Sequence, residues 1–395
     1  MKLLQINVTA NWGSTGKIAE EIGEIAISKG WDSWIAYGRG NPNSRSNLIK
    51  IGNQIDFGYH LIQSRLFDRQ GLFSKSATRA LISKIKDINP DIIHLHNIHG
   101  YYINYLLLFD FLKEWGGNVI WTIHDCWAFT GHCAYYDYAK CEKWTKLCYD
   151  CPELKSYPKS LWKDNSKQNY IMKKKTFLHL PKLTLVPVSY WLENEISKSF
   201  LGDYSIHTIH NGIDTQIFHP QNKDILSNKN IIILGVASVW DRRKGLMDFF
   251  KLRSILPKEF QIVLVGLSDN QISCLPPGVK GVKRTDSLNE LVKLYDMADI
   301  FINPTYEDNF PTTNIEALSC GTPVITYNTG GSTEAIDNDT GIIVEKGDVL
   351  GLARAIDIIL NTQDKYTSSL CRQRAVKNFD KCNQFSKYLN LYMSL

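Results

Sequence analysis

The chain has 395 residues, of which 44% are hydrophobic and 22% charged, which excludes a disordered or fibrous protein and supplies apolar material for two cores. Its net charge of +5 is uneven: residues 1–200 hold 25 Lys and Arg against 18 Asp and Glu, and the remainder holds 20 against 22. The first apolar run is too short and too polar for a signal peptide, and no run of about eighteen apolar residues offers a membrane span, so a cytoplasmic location is expected.

In chain order, the opening run predicts a strand over Leu3–Val8, followed by the stretch "NVTANWGSTGKIAEE" and a helix over Lys17–Lys29 with Ile18, Ile22, Ile25 and Ala26 on one face. A triphosphate-binding loop needs glycine at position 11 and Ser or Thr at 18; Asn11 and Ile18 exclude it. What remains is either an anion-facing turn at a helix start, or a tight turn capped by Ser14 or Thr15. Strands are next predicted over Ser33–Tyr37, Ile92–His96, Val119–His124 and Leu183–Val188. Between them, Arg65, Arg69, Lys75, Arg79, Lys84 and Lys86 interleave with Leu61, Leu66, Phe67, Leu72 and Phe73. That pattern reads as a solvated helix face or as a contact for an anionic membrane. His94, His96 and His99 read as a packed strand end rather than a metal cluster, since no third ligand is evident on the strand face.

Five of nine cysteines fall between Cys126 and Cys151. In a cytoplasmic chain such clustering argues for metal or packing over disulfides. Cys133, Cys141, Cys148 and Cys151 are the candidate ligands of a structural zinc that would brace an insertion over 126–165; buried free thiols or disulfides are the other readings.

A second block of strands is predicted over Ile231–Val236, Gln261–Val265, Ile300–Asn303, Pro323–Thr326 and Ile342–Val344. "SLNELVKLYDMAD" opens its helix with a capping box, Ser287 and Glu290. Alternation of strand and helix in two blocks predicts an α/β chain of two doubly wound parallel-sheet domains. The join falls near "IHNGIDTQIFHPQNKD". The expected division is 1–210, 211–384 and a tail helix over 385–395.

The stretch "ADIFINPTYEDNFPTTNIEALSCGTPVITYNTGGSTEAI" holds Asp308 and Glu316 separated by seven residues, then "EALSCGTPVI" and "GGSTE". This order resembles the family-4 retaining glycosyltransferases of the GT-B fold, as do "DRRKG" and "HNGID". The resemblance implies two Rossmann-like domains facing a cleft, with the tail helix returning to the first. It implies that Asp308, with the backbone N–H groups of Asn309 and Phe310, holds the donor sugar, and that Glu316 holds the ribose. Thr312 and Thr313 would meet the diphosphate, which Arg242, Arg243 and Lys244 would clamp. His124 would face the sugar, and Gly13 and Gly16 would line the donor side of the first domain. Three departures stand out: Asp308 where the family usually has Glu, Pro311 where it has Gly, and Val239 where it has the clamping Arg. Glu307 could share the role of Asp308.

The implied reaction moves a sugar from a nucleotide-diphosphate sugar (UDP- or GDP-linked) to a hydroxyl of a glycan or polyprenyl-diphosphate-linked acceptor. It retains configuration, needs no catalytic metal and serves surface-polysaccharide synthesis, with peripheral contact at the inner membrane face and no nucleic acid. The competing readings are a nucleotide-sugar epimerase, a pyridoxal-bearing phosphorylase and a non-catalytic sugar-binding protein.

Overall fold

The computed structural model describes residues 1–221, 230–362 and 364–395, so Asn222, Lys223 and Asp224 of the predicted join lie outside the described residues. The chain divides into two units, Met1–His210 with Phe385–Leu395, and Asn211–Gln384.

The first unit is built on strands β1 (Lys2–Thr9), β2 (Asp32–Arg39), β3 (Asn47–Lys50), β4 (Ile92–Leu95), β5 (Asn118–Ile123), β6 (Leu183–Pro187) and β7 (Ser205–Ile206). They form one sheet in the order β3-β2-β1-β4-β5-β6-β7. Every pairing is parallel. β4 and β6 are buried on both faces, which is why apolar residues occupy both faces of each strand instead of alternating with exposed polar ones. The tail helix, Lys381–Ser394, inserts Phe385, Tyr388, Leu389 and Tyr392 into a core shared with Leu3, Ile22, Ile92 and Ile120. At about 1.5–3 kcal/mol per buried large side chain, this helix is a principal part of the first unit's core.

The second unit is built on β8 (Ile231–Val236), β9 (Phe260–Val265), β10 (Val279–Val282), β11 (Ile300–Asn303), β12 (Val324–Tyr327) and β13 (Gly341–Val344). Their order is β10-β9-β8-β11-β12-β13, again all parallel. Its core centres on Ile233, Phe249, Ile262, Leu264, Ile302, Ile325 and Leu352.

In each sheet the strand order reverses once, between β1 and β4 and between β8 and β11. The loops leaving the carboxyl ends of those strands splay apart there and make a crevice for ligands.

Two local expectations change. The first helix begins at Gly13, four residues before Lys17, so Gly13–Gly16 is its first turn rather than a loop. Neither Ser14 nor Thr15 caps it; the cap position is Trp12, and the Thr15 hydroxyl instead meets the Asn7 side chain. Only half of the capping box at Ser287 forms. Glu290 N–H donates to the Ser287 hydroxyl at 3.2 Å, while the Glu290 carboxylate accepts from Asp286 N–H at 2.6 Å.

Candidate donor-binding and catalytic site

At the switch point of the second sheet, β8 leads into a short turn over Arg242–Lys244, and β11 leads into Pro304–Pro311. Two glycines press turns against this second segment. Gly245 has φ +71°, and a Cβ there would lie 2.1 Å from the Pro304 carbonyl oxygen; Gly330 has φ +50°, and its Cβ would lie 1.9 Å from the Asp308 carbonyl oxygen. Any side chain would push the segment away. Tyr306 N–H donates to Arg243 O at 2.7 Å, and Gly331 N–H to Asp308 O at 3.3 Å.

This seating brings Lys244 Nζ into an ion pair with the Asp308 carboxylate, side chains only 19% and 16% exposed. Arg243 turns inward: its guanidinium donates to the Glu307 carbonyl at 2.9 Å and to the Asp241 carboxylate at 3.2 Å. Arg242 stays exposed. Of the two arginines Arg243 thus braces the turn and Arg242 is the exposed one, while Lys244 is held by Asp308. Glu307 is buried and does not stand beside Asp308 on the open face. Asn309 and Phe310 are buried as well.

The helix Thr312–Ser319 follows Pro311 with no side-chain cap on its N-terminus. Five of its eight residues are buried, and the part-open ones are Thr312, Thr313 and Glu316. Their spacing of three and four places them on one helix face. The positive end of the helix and its first N–H groups therefore lie beside a carboxylate one turn away. Asn314 faces inward, accepting from Asn303 at 2.8 Å and donating to Ser332 O at 3.1 Å, which pins the helix to the strand end and to the glycine turn. Tyr295 donates to Glu316 Oε2 at 2.9 Å, orienting the carboxylate. Burial, and then the Glu316 charge, raise the Tyr295 phenol well above its usual range, so it remains a donor. Tyr295 lies 21 residues from Glu316, on a different helix, and no local sequence signal marks it.

In the first unit, β4 and β5 end beside a small pocket lined by His96, His99, Trp121, His124, Asp125 and Trp127. His124 is the residue after β5 and is part-buried. Burial pushes its pKa down to about 4 despite neighbouring Asp125, and it pushes His96 well below 6.5. Both rings are neutral, and their partners fix the tautomers. The Gln5 amide N–H donates to Ala19 O at 2.7 Å. Gln5 Oε1 therefore accepts from His96 Nε2–H at 3.0 Å. His96 Nδ1 then accepts from His124 Nε2–H at 3.1 Å. This leaves His124 Nδ1 with a lone pair, a ring nitrogen that accepts rather than donates. Burial raises the Asp125 carboxyl, but His99 at 2.9 Å and the Trp127 N–H hold it below its usual value. His94 contributes to packing. Its nitrogens are taken by Thr122 at 2.7 Å and by Tyr392 of the tail helix at 2.6 Å.

Gly13 is exposed, and Gly16 packs on Thr9 so closely that a Cβ would lie 2.6 Å from the Thr9 hydroxyl. Lys17 is exposed. Cys133, Cys141, Cys148 and Cys151 line a second pocket of the first unit, away from these residues in sequence but contiguous with one another in space.

Comparison with known proteins agrees with this arrangement. Residues 27–217 match the family described as Glycosyltransferase Family 4, and residues 229–362 match Glycosyl transferases group 1. The chain is 24% identical to a protein of Escherichia coli (strain K12) named for colanic acid biosynthesis, the glycosyl transferase WcaC, with all of both chains covered. It is 27% identical to the N,N'-diacetylbacillosaminyl-diphospho-undecaprenol alpha-1,3-N-acetylgalactosaminyltransferase of Campylobacter jejuni, over 42% of this chain and 45% of that one. Among solved structures, sucrose-phosphate synthase from Thermosynechococcus elongatus superposes with a TM-score of 0.75 at 19% identity, covering 100% of this chain and 98% of that one. Anabaena HepE in complex with UDP-glucose superposes at 0.69 and 15% identity, with both chains fully covered. The two open parallel sheets are those of the GT-B class, and the chain belongs to the family-4 glycosyltransferases.

Proposed function

We propose that this glycosyltransferase moves a sugar from a nucleotide-diphosphate sugar to a hydroxyl of a lipid-linked glycan during surface-polysaccharide assembly, with retention of configuration. The observation that carries the reading is the convergence, at one switch point, of Lys244, Asp308, the uncapped helix start at Thr312-Thr313 and Glu316. A diphosphate needs cations and N–H donors, while a ribose and a sugar need carboxylates that accept two hydroxyl hydrogens at once. Each requirement has a group of the right chemistry on the two loops that leave β8 and β11.

In this reading Glu316, oriented by Tyr295, takes the ribose hydroxyls, and Asp308 takes sugar hydroxyls. Lys244, Arg242 and the helix start take the charge that develops as the anomeric carbon–phosphate oxygen bond breaks. The new bond forms from the acceptor oxygen to the same carbon, and the departing phosphate oxygen receives the acceptor's proton. The relatives named for colanic acid and for undecaprenol-linked acceptors support the pathway, and the UDP-glucose complex of the Anabaena protein supports a UDP-linked donor. A thermal-shift screen of UDP, GDP and their common sugars tests the reading: one nucleotide should raise the transition in proportion to its saturation. No shift with any of them would overturn it.

A lipid-linked acceptor also needs an approach to a membrane. Among the described residues no helix is long and apolar enough to cross one. Of the apolar residues in the interleaved stretch 61–86, Leu72 is buried, Leu61, Leu66 and Phe73 are half-buried and Phe67 is exposed. An exposed apolar stripe begins earlier, on the helix Gln54–Phe67, at Ile55, Tyr59 and Ile62. Leu161 N–H donates to Arg65 O at 2.7 Å, which attaches exposed Leu161 and Trp162 to the same helix, flanked by exposed Lys159 and Lys163. We assign this surface to the anionic membrane, with apolar insertion and lysines at headgroup level. Sedimentation with phosphatidylglycerol vesicles should retain the protein, and Ile62→Glu with Trp162→Glu should weaken retention about tenfold or more, since each buried large apolar side chain contributes about 1.5–3 kcal/mol. Equal retention of wild type and variant would refute the assignment.

A further inference from the structure

The insertion that follows β5 holds little regular structure: its helical elements are two short turns, Cys126–Ala128 and Lys143–Thr145. Something other than a backbone ladder must order it. Four sulfurs and one imidazole face the same space, since Cys133, Cys141, Cys148, Cys151 and His132 line a single pocket. All nine cysteines lie among the described residues, and none of them is in a disulfide.

The groups around these sulfurs are donors. Gly131 N–H points at Cys148 Sγ at 3.1 Å. His132 is 2% exposed; its Nδ1 is held by the Asp68 carboxylate, whose other oxygen accepts from Asn165 N–H at 2.9 Å. Its Nε2 is buried without a hydrogen-bond partner. Beside them Lys173, also 2% exposed, sends its ammonium to the carbonyls of Trp127 at 2.6 Å and Thr130 at 3.1 Å, with the Trp127 ring 3.5 Å away. Asp68 answers Nδ1 of His132 and the two carbonyls answer Lys173, but Nε2 of His132 has no partner and Gly131 N–H ends on a sulfur, so what this pocket still calls for is a group that its sulfurs themselves would hold. Several thiolates in one pocket repel one another unless a divalent cation lies among them, and sulfur ligands select zinc among the common divalent ions.

We propose that Cys133, Cys141, Cys148 and Cys151 bind one zinc ion as a structural tetrathiolate site, with Gly131 N–H and His132 as its outer-shell partners. Binding replaces four S–H bonds by four S–Zn bonds and releases the four protons to solvent. Among the described residues no group of three or more His, Cys, Asp or Glu is already gathered about a common centre. The site therefore closes on its ion, each sulfur swinging on the single side-chain dihedral that carries it. A zinc here would act on the neighbouring pocket through covalent continuity: the insertion starts two residues after His124, and its Tyr157 bonds His99 Nδ1 at 2.9 Å.

Metal analysis of the full-length protein, purified without chelator from zinc-supplemented culture, should find about one zinc per chain. Cys141→Ser and Cys151→Ser should each lower that content, whereas Cys274→Ser, at an exposed cysteine elsewhere, should keep it. Cobalt added to chelator-stripped wild type should give the visible bands of a tetrahedral thiolate site, and zinc should protect these four cysteines from alkylation, as read by peptide mass. The alkylation test does not depend on whether the serine variants fold. Folded, metal-free wild type whose four cysteines alkylate equally with and without zinc would overturn the proposal, as would a Cys133–Cys151 disulfide in protein kept under reducing conditions.

Discussion

Lys17 and Lys244 each lie close to a glycine in a strand–turn–helix setting, yet they have different surroundings. Lys17 projects from the first helix into solvent. Lys244 is mostly covered and pairs with Asp308. A hydrogen bond to a charged group contributes about 1.5–3 kcal/mol, and a partly buried cation gains more from an anion than an exposed one does. Lys244→Ala should therefore weaken nucleotide-diphosphate binding at least about tenfold by titration calorimetry. Lys17→Ala should leave it within about twofold, as surface charges distant from a ligand do. Loss of affinity in the Lys17 variant alone would reverse the assignment. The same scale explains what motif spacing leaves open. "DRRK" offers three cations, and only the structure distinguishes Arg243, bound to the Glu307 carbonyl, from its neighbours.

At the scale of elements, the turns matter more than the strands they follow. Gly245 and Gly330 let two turns lie against 304–308, so each supports the ion pair without touching a ligand. Gly245→Ala adds a methyl where 2.1 Å separates its position from a carbonyl oxygen, in a left-handed conformation. The turn must move or the residue must strain, at a cost on the order of 1–3 kcal/mol. Chemical denaturation should show a loss of that size, accompanied by weaker nucleotide binding, and an unchanged transition would show that the turn adapts. These glycines were legible in the sequence as parts of "RRKG" and "NTGG", as were the strands nearest each sheet centre. The strands the sequence did not reveal are β3, β7 and β10, each the outermost of its sheet. An edge strand is covered on fewer sides, so "NLIK" and "VKGV" carry too few buried positions to stand out from a loop. Tyr295, Gln5 and Tyr157 were hidden for a different reason. They act on Glu316, His96 and His99 from 21, 91 and 58 residues away, and side-chain networks between distant segments leave no periodicity.

At the scale of the molecule, the distribution of histidine divides the two units. Of the ten in the chain, nine lie in the first unit and only His219 in the second. Burial pushes His60 down to about 3 and His124 to about 4, and it lowers His94 and His96 well below 6.5. In an unfolded chain these imidazoles take up protons near pH 6.5, while the folded unit refuses them until far lower pH. Between those limits the unfolded state holds more protons. The stability these groups supply is thus complete above about pH 6.5 and declines as pH falls, at up to about 1.4 kcal/mol per pH unit for each such group. His132 works in the opposite sense: burial lowers its pKa, but its bond to Asp68 and the Asp68 charge together raise it above the usual value, which offsets part of the loss. Urea denaturation at pH 7, 6 and 5 should therefore show the first unit's transition moving to lower urea as pH falls, while the second unit's stays nearly fixed. His60→Phe, which removes one buried imidazole but retains an aromatic side chain, should flatten the first unit's dependence. A pH response shared equally by both units would mean that buried imidazoles do not govern acid stability here, and that the carboxylates spread over both units do.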